Sequence, residues 1–174
     1  MTYYQAHRTG LEIESAVDAV GVMLLVLFAA TLHSQLKSAP SLMAFGAACI
    51  LASCTLNEVA AFQSMAYRPT SDPALAALFS DFQGFAFEVT TFPGLAFLAS
   101  IGVAIVVSRS VPRWVGLAAF LAAAAQAVAW ISLFAPPGPL AAGGVPDIVS
   151  FVALLAWLTA GSGALIFRRP AKPG

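Results

Sequence analysis

Apolar residues in this chain run in long blocks, and proline, glycine or charge fills the gaps between them. A helix needs about 20 apolar residues to cross a hydrocarbon core ~30 Å thick. Residues 16–36 make the first such block, ended by Lys37 and the turn-like Ser38-Ala39-Pro40-Ser41. Residues 42–66 make the second, closed by Tyr67-Arg68-Pro69 and Asp72-Pro73. Two more cover residues 113–134, leaving through Pro136-Pro137-Gly138-Pro139, and 147–167, stopped by Arg168-Arg169-Pro170. Proline and charge at both ends supply the boundaries.

Residues 74–108 do not fit one block. As a straight helix they would extend about 52 Å at ~1.5 Å per residue, and Thr91-Phe92-Pro93-Gly94 places a helix-breaking proline near the middle. One reading is an interfacial or re-entrant helix over 74–87 that runs into a span over 88–108. The other is a helical hairpin folded at Pro93-Gly94, which gives six segments.

Charge selects five spans. With the N-terminus outside, Lys37, Arg109, Arg113, Arg168, Arg169 and Lys172 face the cytoplasm and only Arg8 and Arg68 face out, the split that the positive-inside rule favours. Six segments would put Arg109 and Arg113 opposite Lys37. In the five-span arrangement all 8 acids (Glu12, Glu14, Asp18, Glu58, Asp72, Asp81, Glu88, Asp147) fall in or beyond the outer half.

Composition strengthens this picture. The 174 residues are 60% hydrophobic and 9% charged, against about 45–50% and 25% in ordinary globular domains. A soluble enzyme, a disordered tail and a nucleic-acid-binding domain are excluded, because so few polar residues could not clothe a water-soluble core. The expected fold is all-α: a multi-pass transmembrane helical bundle forming a single membrane domain over 1–174. Glu12, Glu14 and Asp18 outweigh Arg8 before the first block, unlike the basic start of a cleaved signal, so the first span is retained. Alanine-rich, lysine-poor composition points to a bacterial inner membrane, with the C-terminus cytoplasmic. Cys49 and Cys54 lie about 140° apart around a helix of ~3.6 residues per turn, which disfavours a bridge.

Candidate chemistry lies in the few intramembrane polar groups. Glu58 stands about 12 Å inside the outer end of the second span at ~1.5 Å per residue, with Asn57 before it. A carboxylate at such depth is costly unless it is protonated, paired or facing a wet cavity. Asp81 and Glu88, seven apart, share a helix face, and with Glu58 and Asp18 they can converge into an outward-facing acidic site for a proton, a cation or a small ligand. Gln126 sits mid-span as an interhelical hydrogen-bonding group or a ligand contact. His33 is a weak candidate for haem, with Met23, Met43 or Met65 as second ligand.

No cofactor is expected, with haem or pigment left open, and no lysine lies mid-span to carry retinal. Ser162, between Gly161 and Gly163, has no base at comparable depth. The expected partners are the lipid bilayer and other membrane subunits or further copies, met through small-residue faces such as Ala118, Ala122 and Ala125. The leading functional expectation is a non-enzymatic membrane protein, a complex subunit or small-ligand binder. A proton- or cation-coupled transporter using Glu58 and Glu88 is the alternative, and a membrane enzyme or haem- or pigment-binding subunit comes third.

Overall fold

The computed structural model describes residues 8–67, 73–108, 111–136, 138–141 and 144–166. Arg68, Asp72, Arg109, Arg168, Arg169 and Lys172, which enter the charge reading, lie outside the described residues. The helices are α1 (Arg8–Leu36), α2 (Ala39–Tyr67), α3 (Pro73–Val89), α4 (Thr91–Ser108), α5 (Arg113–Ser132) and α6 (Val145–Ile166). Among the described residues there is no strand. Five stretches are long and apolar enough to cross a membrane: Glu12–Leu36, Ala39–Ala61, Ala77–Ser108, Arg113–Ser132 and Val145–Ala164.

The turn between α1 and α2 is built from local polar chemistry. Lys37 takes a left-handed conformation (φ 45°) just past α1, and its N–H donates to the His33 carbonyl at 2.8 Å, the usual way to end a helix. Ser38 then caps α2. Its hydroxyl receives the Ser41 N–H at 3.3 Å while Ser41 Oγ receives the Ser38 N–H at 3.1 Å. This reciprocal pair has the logic of a capping box, with serine in the place of the usual Glu or Gln. Pro40 falls in the first turn, where no intrahelical N–H is required.

The 74–108 segment is a broken helix, and α3 does not fold back as a hairpin on α4. Thr90 alone separates the two. Pro93 has no N–H to give the Val89 carbonyl, while Thr91 Oγ1 donates to the Glu88 carbonyl at 2.7 Å. The Thr91 hydroxyl thus serves the Glu88 carbonyl beside the break, and not the Val89 carbonyl that Pro93 cannot serve. α3 packs mainly on α2 and touches α4 and α5 only lightly.

α4 forms the centre, with half of its residues buried. The α1–α2 and α5–α6 hairpins flank it, through α2 on one side and α5 on the other. α4 and α5 meet backbone to backbone: a Cβ on Gly102 would lie 3.1 Å from the Gly116 carbonyl oxygen, and one on Gly116 3.0 Å from that of Gly102. Trp157 ties α6 to three other helices. Its Nε1–H donates to the Val115 carbonyl on α5 at 2.9 Å. Its ring meets Phe28 of α1 and Phe97 of α4 edge-on, at 6.0 and 5.6 Å between centroids.

These contacts fix the direction of each helix. The α1–α2 turn and the α4–α5 connection share one end, here the basic end, which carries Lys37 and Arg113. At or toward the opposite, acidic end lie Glu12, Glu14, Asp18, Glu58, Asp81, Glu88 and Asp147, which are all the described acids.

Candidate functional site

Four helices, α3 to α6, bring buried polar groups into one line toward the acidic end. It starts in the last turn of α3 with Glu88, which is 6% exposed and has a fully enclosed Oε2. Thr91, one turn on and also buried, is bonded to the Glu88 backbone. Gly94 follows after another turn. Its missing side chain leaves room for Gln126 of α5, whose Oε1 lies 3.2 Å from where a Gly94 Cβ would be. Gln126, only 4% exposed, sends Nε2 to the Ser150 carbonyl of α6 at 3.2 Å. Ser150 Oγ in turn donates to the Asp147 carbonyl at 2.9 Å. Asp147, 4% exposed and with Oδ1 fully enclosed, ends the line.

Sequence patterns put each member in place for a different reason. Asp147 belongs to the first turn of α6, where the positive end of the helix dipole favours an acid. Glu88 is held beside the break between α3 and α4. Gln126 is the lone amide in an alanine run, Ala122-Ala123-Ala124-Ala125-Gln126-Ala127, whose small side chains let α5 approach its neighbours. Ala122 and Ala123 are buried inside the chain and Gly161 lies beside Val115, Phe28 and Trp157. Of the Ala118, Ala122 and Ala125 face, Ala122 is thus used in internal packing.

The other sequence candidates fall outside this line. Glu58 is half-buried on α2. Asp18 and Asp81 are exposed on the chain surface. Asn57 is exposed too, its Nδ2 bonded to the Ser53 carbonyl one turn back at 2.8 Å. Measured along their helices, Asp18, Glu58, Glu88 and Asp147 stand eighteen to twenty residues from Leu36, Ala39, Ser108 and Ile166, about 27–30 Å at ~1.5 Å per residue. Four acids on four helices thus stand a similar number of residues from the basic end, but of these the chain buries only Glu88 and Asp147.

His33 sits at the other end. Its Nδ1 meets Ser41 Oγ at 2.9 Å, and Met23 and Met43 point outward. Among the described residues no group of three or more His, Cys, Asp or Glu side chains could hold a metal ion. Cys49 and Cys54 are both free thiols. Leu78, Phe82 and Phe85 are exposed, and the Phe92 ring meets Trp130 of α5 at a tilt, with centroids 5.9 Å apart.

Asp147, Thr91, Gly94 and Ser150 were not evident as site residues from sequence. The spacing of Asp147 and Ser150 on one helix face was the available signal, but Asp147 next to Pro146 reads first as a span boundary. In comparisons with known proteins, the chain matches no family model, no curated protein and no solved structure.

Proposed function

We propose that this chain is a non-enzymatic multi-pass membrane protein, acting as a subunit or small-ligand binder that holds a proton or small cation at its acidic end. The observation that carries the reading is the enclosure of Glu88 and Asp147 at the two ends of the Thr91–Gly94–Gln126–Ser150 line. Enclosing an ionised carboxylate in an apolar bundle is expensive unless a proton, a cation or hydrogen-bond donors offset its charge. The five apolar helices supply the membrane setting. In that setting a hydrocarbon slab about 30 Å deep, laid against the basic end, would finish at the level of the four acids. Glu58 then belongs at the outer boundary and not ~12 Å inside it, because α2 is 29 residues long, about 43 Å at ~1.5 Å per residue.

Infrared difference spectra of the purified protein in lipid, recorded across a pH titration or on adding a monovalent or divalent cation, test this reading. A carboxyl band that responds and is lost in both Glu88→Gln and Asp147→Asn is the expected result. An unchanged spectrum in both variants would overturn it.

A second reading, a proton- or cation-coupled transporter, is favoured by one feature. Glu88 lies next to a discontinuity in a candidate membrane-crossing helix, the kind of position at which secondary transporters bind coupling ions. In proteoliposomes this reading expects cation-dependent or pH-dependent flux that Glu88→Gln abolishes.

A further inference from the structure

The basic end carries a recess of about 440 Å³ between α1 and α2, lined by His33, Ser34, Lys37, Ser38, Ala39 and Leu42. We propose that it binds the phosphate headgroup of an anionic phospholipid. The inference rests on the membrane-spanning reading above. That reading is checked separately, by whether the chain stays in membranes washed with alkaline carbonate.

Charge is the first argument. Lys37 is exposed, and the left-handed turn places it just beyond the last residue of α1. Every described acid lies at or toward the other end, so nothing described at this end offsets it. Basic recesses between helices at a bilayer boundary are the usual form of headgroup sites.

The polar groups beside Lys37 supply the second. His33 Nδ1 and Ser41 Oγ meet at 2.9 Å, and Ser41 Oγ also meets the Ser38 carbonyl, N–H and hydroxyl. The contact occupies Nδ1 and leaves Nε2 as the ring atom able to meet a ligand. Ser34 donates its hydroxyl to the Thr31 carbonyl, and Ser38 and Ser41 already satisfy the start of α2. Recognition of an anion thus falls to Lys37 and His33.

The surroundings select a lipid over a free anion. Leu42, which lines the recess, and its neighbour Met43 are both exposed apolar side chains on α2. They offer acyl chains a path from the headgroup along the helix. A soluble phosphate would gain nothing from them.

The test uses the full chain in a neutral detergent, with bound lipid counted by native mass spectrometry during titration with phosphatidylglycerol or phosphatidylcholine. Lys37→Gly removes the charge and suits the left-handed backbone, so loss of binding cannot be ascribed to misfolding. It is expected to weaken phosphatidylglycerol retention about fivefold, the worth of one cation near an anionic surface. Lys37→Arg should bind as the parent does. Arg113→Gln, which removes another exposed cation at this end but outside the recess, should leave retention unchanged. Equal retention of both lipids, undiminished binding in Lys37→Gly, or an equal loss in Arg113→Gln overturns the proposal. So does tight binding of inorganic phosphate with the same Lys37 dependence, which would mark a free-anion site.

Discussion

At the scale of single residues, the link between Gly94, Gln126 and Ser150 is the most exacting feature of the site. A methyl group at position 94 would lie 3.2 Å from Gln126 Oε1 and 3.3 Å from its Cδ, tighter than ordinary van der Waals contact. Gly94→Ala should therefore push the amide off the Ser150 carbonyl, while Gln126→Leu removes that bond and keeps most of the volume. Interhelical hydrogen bonds in membranes average about 0.6 kcal/mol and reach about 1.7 kcal/mol. Each single variant is expected to cost about 1 kcal/mol in a detergent-unfolding titration. The pair should cost clearly less than the two added together, because both act on one contact. Strict additivity would show that Gly94 and Gln126 are energetically independent. Gln126 was legible in the sequence as a lone polar residue in an apolar block, and Glu88 as an acid at the start of an apolar run, seven residues from Asp81. Gly94 was legible only as a helix breaker. Its role as the space for Gln126 comes from a contact between helices, which no local pattern encodes. Asp147 was hidden for the opposite reason: an acid after proline at a helix start already has a sufficient local explanation.

At the scale of elements, the helix ends at Leu36, Ala39, Arg113 and Val145 fall beside the charge, serine and proline that punctuate the sequence, whereas α1 is already helical at Arg8, well before its apolar block. The course of residues 74–108 was not legible in this way, because Pro93 is compatible with either a kink or a hairpin. What decides it is tertiary: α3 finds its main surface on α2, and α4 is held from both sides by α2 and α5. The α4–α5 contact is close because Gly102 and Gly116 face one another, and a Cβ on Gly116 would come within 2.8 Å of Val106 Cγ2 as well as 3.0 Å of the Gly102 carbonyl oxygen. The backbone oxygen cannot move aside without separating the helices. Gly116→Ala is expected to cost about 1–3 kcal/mol, read as an earlier unfolding midpoint. Gly163→Ala, with nothing within 4 Å of its Cβ position, should cost little by comparison. Trp157 offers a complementary test. Trp157→Phe preserves an aromatic ring against Phe28 and Phe97 but loses the donor to the Val115 carbonyl, a loss of about 1 kcal/mol. Trp157→Ala empties the junction of four helices and should cost about 3–5 kcal/mol. If Phe and Ala at this position destabilise equally, the hydrogen bond and not the packing fastens α6.

At the scale of the whole molecule, the helix directions gather the described acids toward one end and Lys37 and Arg113 at the other, with Arg8 at the acidic end, and this gives the bundle an orientation to test. Lys37 and Arg113 fall at one end, while Glu88 and Asp147 are enclosed toward the other. Cations are retained on the cytoplasmic side, whereas acids contribute little to orientation. The basic end is therefore expected to be cytoplasmic, and the rule does not account for the acids gathered opposite it. Trp114 at the basic end and Leu140 at the acidic end are both exposed, which makes them suitable for single cysteines once the free Cys49 and Cys54 are replaced by alanine. A membrane-impermeant thiol reagent applied to intact cells is expected to label Leu140→Cys and to reach Trp114→Cys only after the membrane is opened. Labelling of both without opening the membrane would mean that the chain does not separate these two ends. Labelling in the reverse order would keep the bundle but turn the enclosed acids toward the cytoplasm. A proton or cation would then be taken from the cell interior, and the recess at Lys37 would meet the outer leaflet. The orientation experiment thus decides which leaflet and which ion pool each proposed site can use, and it does so without assuming that either site is occupied.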